Sequence, residues 1–239
     1  MMTFQKFSTV TTVSVAELCR DFFHANRATI RVKKEKVAVK NLATIVDTTL
    51  KLSCKKGFDA MSLRDLSRTS GLSMGALYSY FASKEDLLGM IQHHGQVAVA
   101  RILREHVERE SDPQNKLRSA IRAHLYLSEL MKSWFYFFFM ETKNLNKKYQ
   151  KVSVESELMT ERVITDILEE GARKKIFTVS DISLTGSVIK AMMQDWYLKQ
   201  WKYARRNISV EAYAQFVIEV VESFIVAKPH KGNHKSSKW

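Results

Sequence analysis

The sequence predicts an all-α protein in which a small N-terminal three-helix unit carrying a helix-turn-helix precedes a larger helical domain. Three observations carry this. Apolar residues recur at three- and four-residue spacing along most of the chain, and β-branched alternation is hard to find. Glycine and proline, at 8 and 2 of 239 residues, are too scarce for a β-rich or loop-rich fold. Ser and Asp stand where a cap would open a helix, and two of the early runs close on glycine.

Residues 1–12 are Thr-rich and unpatterned, and are expected to be disordered. From Ser14, "SVAELCRDFFHANRATI" sets Ser14 and Glu17 in capping-box register ahead of Val15, Leu18, Phe22 and Phe23, which predicts an extra helix. The basic run "RVKKEK" at 31–36 then leads into a helix over 37–55. Val39, Leu42, Ile45, Val46, Thr49 and Leu52 share one face of it, and Gly57 is its stop.

A shorter rhythm follows. Ser62 caps Leu63–Ser70 with Asp65 at the third helical position, and Gly71 breaks that helix. Ser73 caps a second short helix over Met74–Phe81, and Ser83 caps a third that opens "KEDLL". Two helices of about eight residues joined by "SGLS" make a helix-turn-helix.

Beyond Lys84 the periods lengthen. Helices are expected over 84–109, from Asp112 with Pro113 at the first helical position, near 133–145, and over 148–174, 181–205 and 209–227. Ser180 or Asp181 and Ser209 are the caps of the last two. The tail from Pro229 is basic, polar and expected to be disordered. The expected divisions are 1–36 for an N-terminal extension with a helix and a basic linker, 37–83 for the helix-turn-helix unit, 84–227 for the helical domain and 228–239 for the tail.

Lys and Arg outnumber Asp and Glu by 38 to 25, and the net charge of +13 suggests an anionic partner, nucleic acid before membrane. Cys19 and Cys54 lack zinc or redox spacing and read as reduced core residues of a cytoplasmic protein. The N-terminus has no basic-then-apolar leader pattern, and the longest apolar run, Trp134–Met140, is too short to cross a bilayer. The His93-His94 pair has no carboxylate or cysteine at metal spacing, the glycines form no phosphate loop, and no serine sits in a nucleophile turn. No catalytic residue, cofactor or metal is therefore expected.

The stretch "GLSMGALYSYFASKEDLL" at 71–88 carries the chemistry. Glycine inside a helix costs about 1 kcal/mol against alanine. Small residues at the start of the second helix of a helix-turn-helix let the backbone approach DNA closely, which gives Gly75 and Ala76 a reason. Tyr78 and Tyr80 diverge by about 200° on the wheel and cannot both be core. Leu77 and Phe81 are the candidates for packing onto Leu63, Leu66 and Leu72. Ser62, Ser73, Tyr78, Tyr80 and Lys84 supply donors for phosphates. Lys84 follows the cap Ser83, where a cation opposes the helix dipole; an outside anion or plain solvation accounts for it.

The stretch Val39–Leu88 resembles the DNA-binding domain of the TetR (tetracycline-repressor-like) family of bacterial regulators. Gly57-Phe58, Gly71, Ser73, Gly75, Tyr78, Tyr80-Phe81 and Lys84 fall on its motif. The resemblance implies a homodimer, double-stranded operator DNA as partner and a C-terminal helical domain that binds a small molecule. Dimeric helix-turn-helix proteins read spaced half-sites, so a palindromic operator is expected. On this reading Met74, Gly75 and Ala76 face the bases or the groove floor, and Ser62, Arg64, Ser73, Tyr78, Tyr80 and Lys84 serve phosphates, with a base contact as the alternative for Arg64. Met74–Leu77 is poor in hydrogen-bonding side chains, so sequence choice would rely on thymine methyls, water and DNA shape. The extension is longer than the family usually carries; its link is either an arm on phosphates or a solvated linker, with or without a packing helix before it.

In "SWFYFFFMETKNL", Trp134, Phe135, Phe138 and Phe139 surround too much of a helix for one face, and either line an effector pocket or form core. Met192, Met193, Trp196 and Tyr197 read as further pocket walls or as a dimer seam. The aromatic wealth favours an apolar, acyl or aromatic effector over a sugar. The last two helices match the place of the family's intersubunit four-helix bundle, with Phe216, Val217, Val220, Val221 and Phe224 as dimer contacts and Ile225 beside them. "GARKKIF" from Gly171 resembles the family's helix-ending pattern, with Lys175 where glycine is common. The expected function is a repressor released from its operator by a small effector; an activator, a corepressor-dependent regulator, or a ligand-binding protein that has lost DNA recognition remain alternatives.

Overall fold

The computed structural model describes residues 2–11, 15–141 and 147–226. Twelve helices run through these residues, and no β-strand does.

The described parts of the N-terminal extension carry two helices. Phe4–Val10 form α1, which Thr3 caps by accepting from the Lys6 N–H. Over the described residues 2–11 the expectation of disorder fails because Phe7 has a burial site far along the chain. It is fully buried, stacked on His106 at 5.0 Å and edge-on to Tyr126 at 5.5 Å. The extra helix, α2 (Val15–Ala25), buries Leu18, Cys19, Phe22 and Phe23. Its expected cap, Ser14, lies outside the described residues, as does the tail over 228–239.

α3 (Glu35–Lys56) starts two residues before the expected helix and takes in the end of the basic run. Val39, Leu42, Ile45, Val46 and Thr49 are buried as expected, and Gly57, at φ +79°, stops the helix. Cys19 is buried and its thiol is pushed up to about 12, by burial first and by Asp47 second. Cys54 is exposed, not core; it follows the buried Ser53, and the turn of about 100° between neighbours carries it to the outer face.

α4 (Leu63–Ser70) and α5 (Met74–Leu77) complete the three-helix head. α6 (Lys84–Glu108) leaves the head and runs into the larger domain, where α7 (Pro113–Leu130) lies against it and also meets α9 (Lys147–Arg173). Asp112 caps α7 by accepting from the Asn115 N–H at 3.0 Å, with Pro113 first in the helix. The aromatic segment forms a separate helix, α8 (Lys132–Glu141); residues 142–146 lie outside the description.

The end of α9 shows why "GARKKIF" is written as it is. A Cβ on Gly171 would lie 1.9 Å from the Phe177 ring, so only glycine lets Phe177 fold back onto the helix. Lys175 makes the turn in the left-handed region, at φ +57°, the position where the family commonly has glycine.

The helix expected over 181–205 is two, α10 (Ile182–Leu198) and α11 (Gln200–Arg205). Lys199, at ψ +35°, marks the break. There the Asp195 carboxylate gathers the Lys199 and Lys202 ammonium groups and the Tyr203 hydroxyl, which draws the second segment round. Of the two caps considered for α10, Asp181 is used. α12 (Val210–Ile225), capped by Ser209, packs on α7, and Arg118 forks onto Glu222 across that seam with Nη2 at 2.9 Å.

Candidate DNA-reading head and helical-domain cavity

The head is assembled by local bonds that the sequence announces. The Ser62 hydroxyl oxygen accepts from the Asp65 N–H at 3.1 Å, and the Asp65 carboxylate accepts from the Ser62 N–H at 3.0 Å, a complete capping box for α4. Lys56, at 2.6 Å, and the Ser62 donors hold the Asp65 carboxyl well below the usual carboxylate range. Gly71, at φ +72°, turns the chain, and the Ser73 hydroxyl accepts from the Ala76 N–H to open α5.

α5 is shorter than expected, ending at Leu77 instead of Phe81. Beyond it, Ser79 and Tyr80 donate to the carbonyls three residues back, at 3.1 and 2.9 Å, and the Ser79 hydroxyl donates to the Gly75 carbonyl. The Ser79 carbonyl is engaged outside the helix, by the Arg31 N–H at 3.0 Å. The "RVKKEK" link therefore lies against the recognition segment.

The exposed face of the head carries Ser62, Arg64, Ser73, Gly75 and Tyr78, the last 45% exposed. Leu77, Phe81 and Leu66 are buried, and Leu63 and Leu72 pack against them. Met74 is half-buried against the same core, and Ala76 is half-buried. Of the two tyrosines one is core, as the wheel requires: Tyr80 is buried, with its hydroxyl accepting from the Asn41 amide at 2.9 Å. Among the described residues, no atom outside its chain neighbours and its own turn of helix backbone lies within 4 Å of where a Gly75 Cβ would stand. The Lys84 ammonium has internal partners, donating to the Asp59 carbonyl at 2.8 Å and lying 4.7 Å from the Phe58 ring centroid. These offset its unfavourable place at a helix start without an outside anion.

The larger domain holds a cavity of about 300 Å³ with walls from α6 to α10. Phe135, Phe138, Phe139 and Tyr197, read from the sequence as pocket or core and, for Tyr197, as pocket or dimer seam, line it. Trp134, Met192, Met193 and Trp196 do not. Trp134 shares the Gly95 notch with Phe138 but borders a small gap with Leu18 and Phe22 instead of the cavity. Met193 and Trp196 are protomer core, Trp196 donating to Glu129 at 3.0 Å and stacked on Tyr203; the Met192 carbonyl accepts from the Tyr213 hydroxyl. The cavity also holds His124, Lys190, Glu157 and Gln194, which the sequence reading missed. One signal was present: Lys190 falls on the three- and four-residue stripe of Gly186, Ile189, Met193 and Trp196 that α10 buries.

α8 joins this cavity to the head. Phe138 reaches both the cavity and the notch at Gly95 of α6, where a Cβ would lie 2.0 Å from its ring. On an adjoining side of α8, the Phe137 ring meets Phe58 edge-on at 5.8 Å, and the Glu141 carboxylate accepts from the Phe58 N–H at 3.1 Å.

On α12 the expected dimer contacts divide. Phe216 and Phe224 are 63% and 70% exposed, and Val220 is exposed beside them; Leu184 and Val188 of α10 are exposed too. Val217, Val221 and Ile225 are buried within the protomer and are not free for a partner, because that side of the helix packs on α7.

Among the described residues no helix is long and apolar enough to cross a membrane. Residues 45–91 match the model for bacterial regulatory proteins of the tetR family, and residues 110–221 match the tetracyclin repressor-like C-terminal domain. The HTH-type transcriptional regulator HbdR of Aromatoleum sp. (strain CIB) is 21% identical over 184 residues, 77% of this chain and 80% of that protein. YwcC of Bacillus subtilis (strain 168), also an HTH-type regulator, is 28% identical over 71% of this chain and 81% of its own. A tetR-family regulatory protein from Rhodococcus RHA1 superimposes with a TM-score of 0.73 at 20% identity, over 79% of this chain and 99% of that one. With both its head and its helical domain matched, the chain belongs to the TetR family of bacterial transcriptional regulators.

Proposed function

We propose that this regulator binds a palindromic operator as a homodimer in the cytoplasm, through the exposed face of α4 and α5, and is a repressor released when a small apolar effector fills the helical-domain cavity. The observation that carries the DNA-binding half is Gly75. A helical glycine with open space around its missing side chain has no internal packing reason to be there. Close approach of an outside surface supplies one, and the hydroxyls of Ser73 and Tyr78 with the Arg64 guanidinium offer donors for phosphate on the same exposed face, the Ser62 hydroxyl proton being given to Asp65. Lys84 keeps donors beyond the one given to Asp59. Tyr80 acts by holding the segment in place, with its hydroxyl proton available to a phosphate.

The dimer would form on Phe216, Val220 and Phe224 of α12 with Leu184 and Val188 of α10, an exposed apolar set too concentrated for an ordinary protomer surface. Release follows from differential affinity: an effector that prefers the geometry unfit for DNA lowers operator affinity by the factor it discriminates. α8 offers the coupling route, since a shift of Phe138 acts on α6 at Gly95 while Phe137 and Glu141 act on Phe58, beside Lys84.

The test is titration of duplex DNA from upstream of the protein's own gene, against random duplex of equal length, across a salt series. Steep salt dependence with a clear preference for the upstream duplex is the expected result. Equal affinity for both duplexes at every salt concentration contradicts the reading.

A further inference from the structure

We infer that the cavity receives a small organic anion, a carboxylate on an apolar aromatic or acyl body, with Lys190 as its counter-charge. This rests on the reading of the cavity as the effector site and names the class of effector.

Lys190 is 4% exposed, on the buried stripe of α10. A buried ammonium group persists only when paired. Its ion-pair partner is the Glu157 carboxylate at 3.3 Å, longer than a good charge-assisted hydrogen bond. The two partners are unequally placed. The Glu157 side chain is 48% exposed and also accepts from the Gln194 amide, so it can turn out to water at little loss, whereas Lys190 cannot follow. Glu157 thus occupies an exchangeable seat, covering the ammonium group while the cavity is empty and ceding it to a ligand carboxylate.

His124 is the second, independent sign of a ligand. It is fully buried, lines the cavity, and its Nδ1 has no hydrogen-bond partner. An unpaired buried polar atom is costly in a native protein. Burial, with Lys190 nearby, holds this ring neutral, and a neutral imidazole can present an N–H to the carboxylate that Lys190 attracts.

The walls fit the rest of such a molecule. The Phe135 ring stands edge-on to His124 at 5.4 Å and to Tyr197 at 5.2 Å, an aromatic surface beside the charged end. A volume of about 300 Å³ is at the lower end for small-molecule sites and suits one or two rings or a short acyl chain. A cation would face Lys190, and a sugar would leave the aromatic walls without an apolar partner.

The experiment is calorimetric titration of the full chain with naphthoate, with the neutral naphthalene methanol and with naphthylmethylammonium. Lys190→Met and Glu157→Gln are titrated alongside, and melting temperatures report that each is folded. The wild type is expected to bind naphthoate at least about tenfold more tightly than the alcohol, as a charge-assisted contact implies. Lys190→Met should lose that preference while still binding the alcohol, and Glu157→Gln should bind naphthoate more tightly, its competing carboxylate removed. Binding of none of the three probes by the wild type, a preference for the alcohol or the cation, or a naphthoate preference kept by Lys190→Met overturns the inference. Operator binding is read on the same preparations. A carboxylate preference without operator binding leaves the ligand class standing and contradicts the regulator reading; operator binding without the preference does the reverse.

Discussion

The Asn41 side-chain amide donates to the Tyr80 hydroxyl at 2.9 Å, tying α3 to the end of the recognition segment across 39 positions of chain. With the Ser79 carbonyl bound to the Arg31 N–H, it gives the short α5 a fixed far end that its own four residues could not provide. Tyr80→Phe leaves the half-buried Asn41 amide without this acceptor, and is expected to cost about 1 kcal/mol of stability, a factor of about five. A double-mutant cycle with Asn41→Leu checks it: the pair should cost less than the sum of the singles, and strict additivity would show that the bond contributes nothing.

Lys175 turns the chain after α9 at φ +57°, a backbone region that costs an L-residue about 1 to 2 kcal/mol. Lys175→Gly is therefore expected to raise the unfolding free energy by about 1 kcal/mol in urea titrations, without loss of DNA or ligand binding. A fall in stability would mean that the lysine side chain contributes more than the backbone relief.

Stability should fall with acid through the histidines. His94 accepts from the Asn26 side-chain amide at 3.3 Å and stands edge-on to Phe22; burial first, then His93, lowers its pKa from 6.5 to about 4, against a smaller opposing effect of Asp21. Between about pH 4 and 6.5 the unfolded chain binds the proton and the folded chain does not, so stability rises with pH across that window and falls on acidification. Burial lowers His106 and His124 in the same direction. Thermal melts from pH 7 to 5 should show a steady decline, and His94→Gln should flatten it; an unchanged slope contradicts the assignment.

Phe224, 70% exposed on α12, is the position that tests the proposed dimer. Phe224→Asp is expected to convert the protein to a monomer in sedimentation runs while its helix content stays the same. A dimer that survives this change in full places the interface elsewhere.

The helices were legible where their causes are local. The boxes and caps at Ser62, Ser73, Ser83, Asp112, Asp181 and Ser209 act within three residues of chain, and each opens the helix expected of it. What escaped depends on distant partners. α1 forms because Phe7 meets His106 and Tyr126, and α5 stops early where Arg31 takes the Ser79 carbonyl. α12 is apolar on two sides, so its pattern does not tell Val217 and Val221, which pack on α7, from Phe216 and Phe224, which face outward. The aromatic run of α8 left cavity wall and core both open, and its aromatics divide: Phe135, Phe138 and Phe139 line the cavity while Trp134 borders a smaller gap.

Gly75→Glu tests most directly whether the face around Gly75 is the one that meets DNA. The position is exposed and, among the described residues, nothing beyond its own helix turn lies within 4 Å of the added Cβ, so the variant should melt within a degree or two of the wild type, about 0.5 kcal/mol or less. A bulky carboxylate at the point of closest approach should reduce operator affinity by about a hundredfold or more, through exclusion and repulsion of phosphates. A folded variant that binds operator as tightly as the wild type would contradict the account.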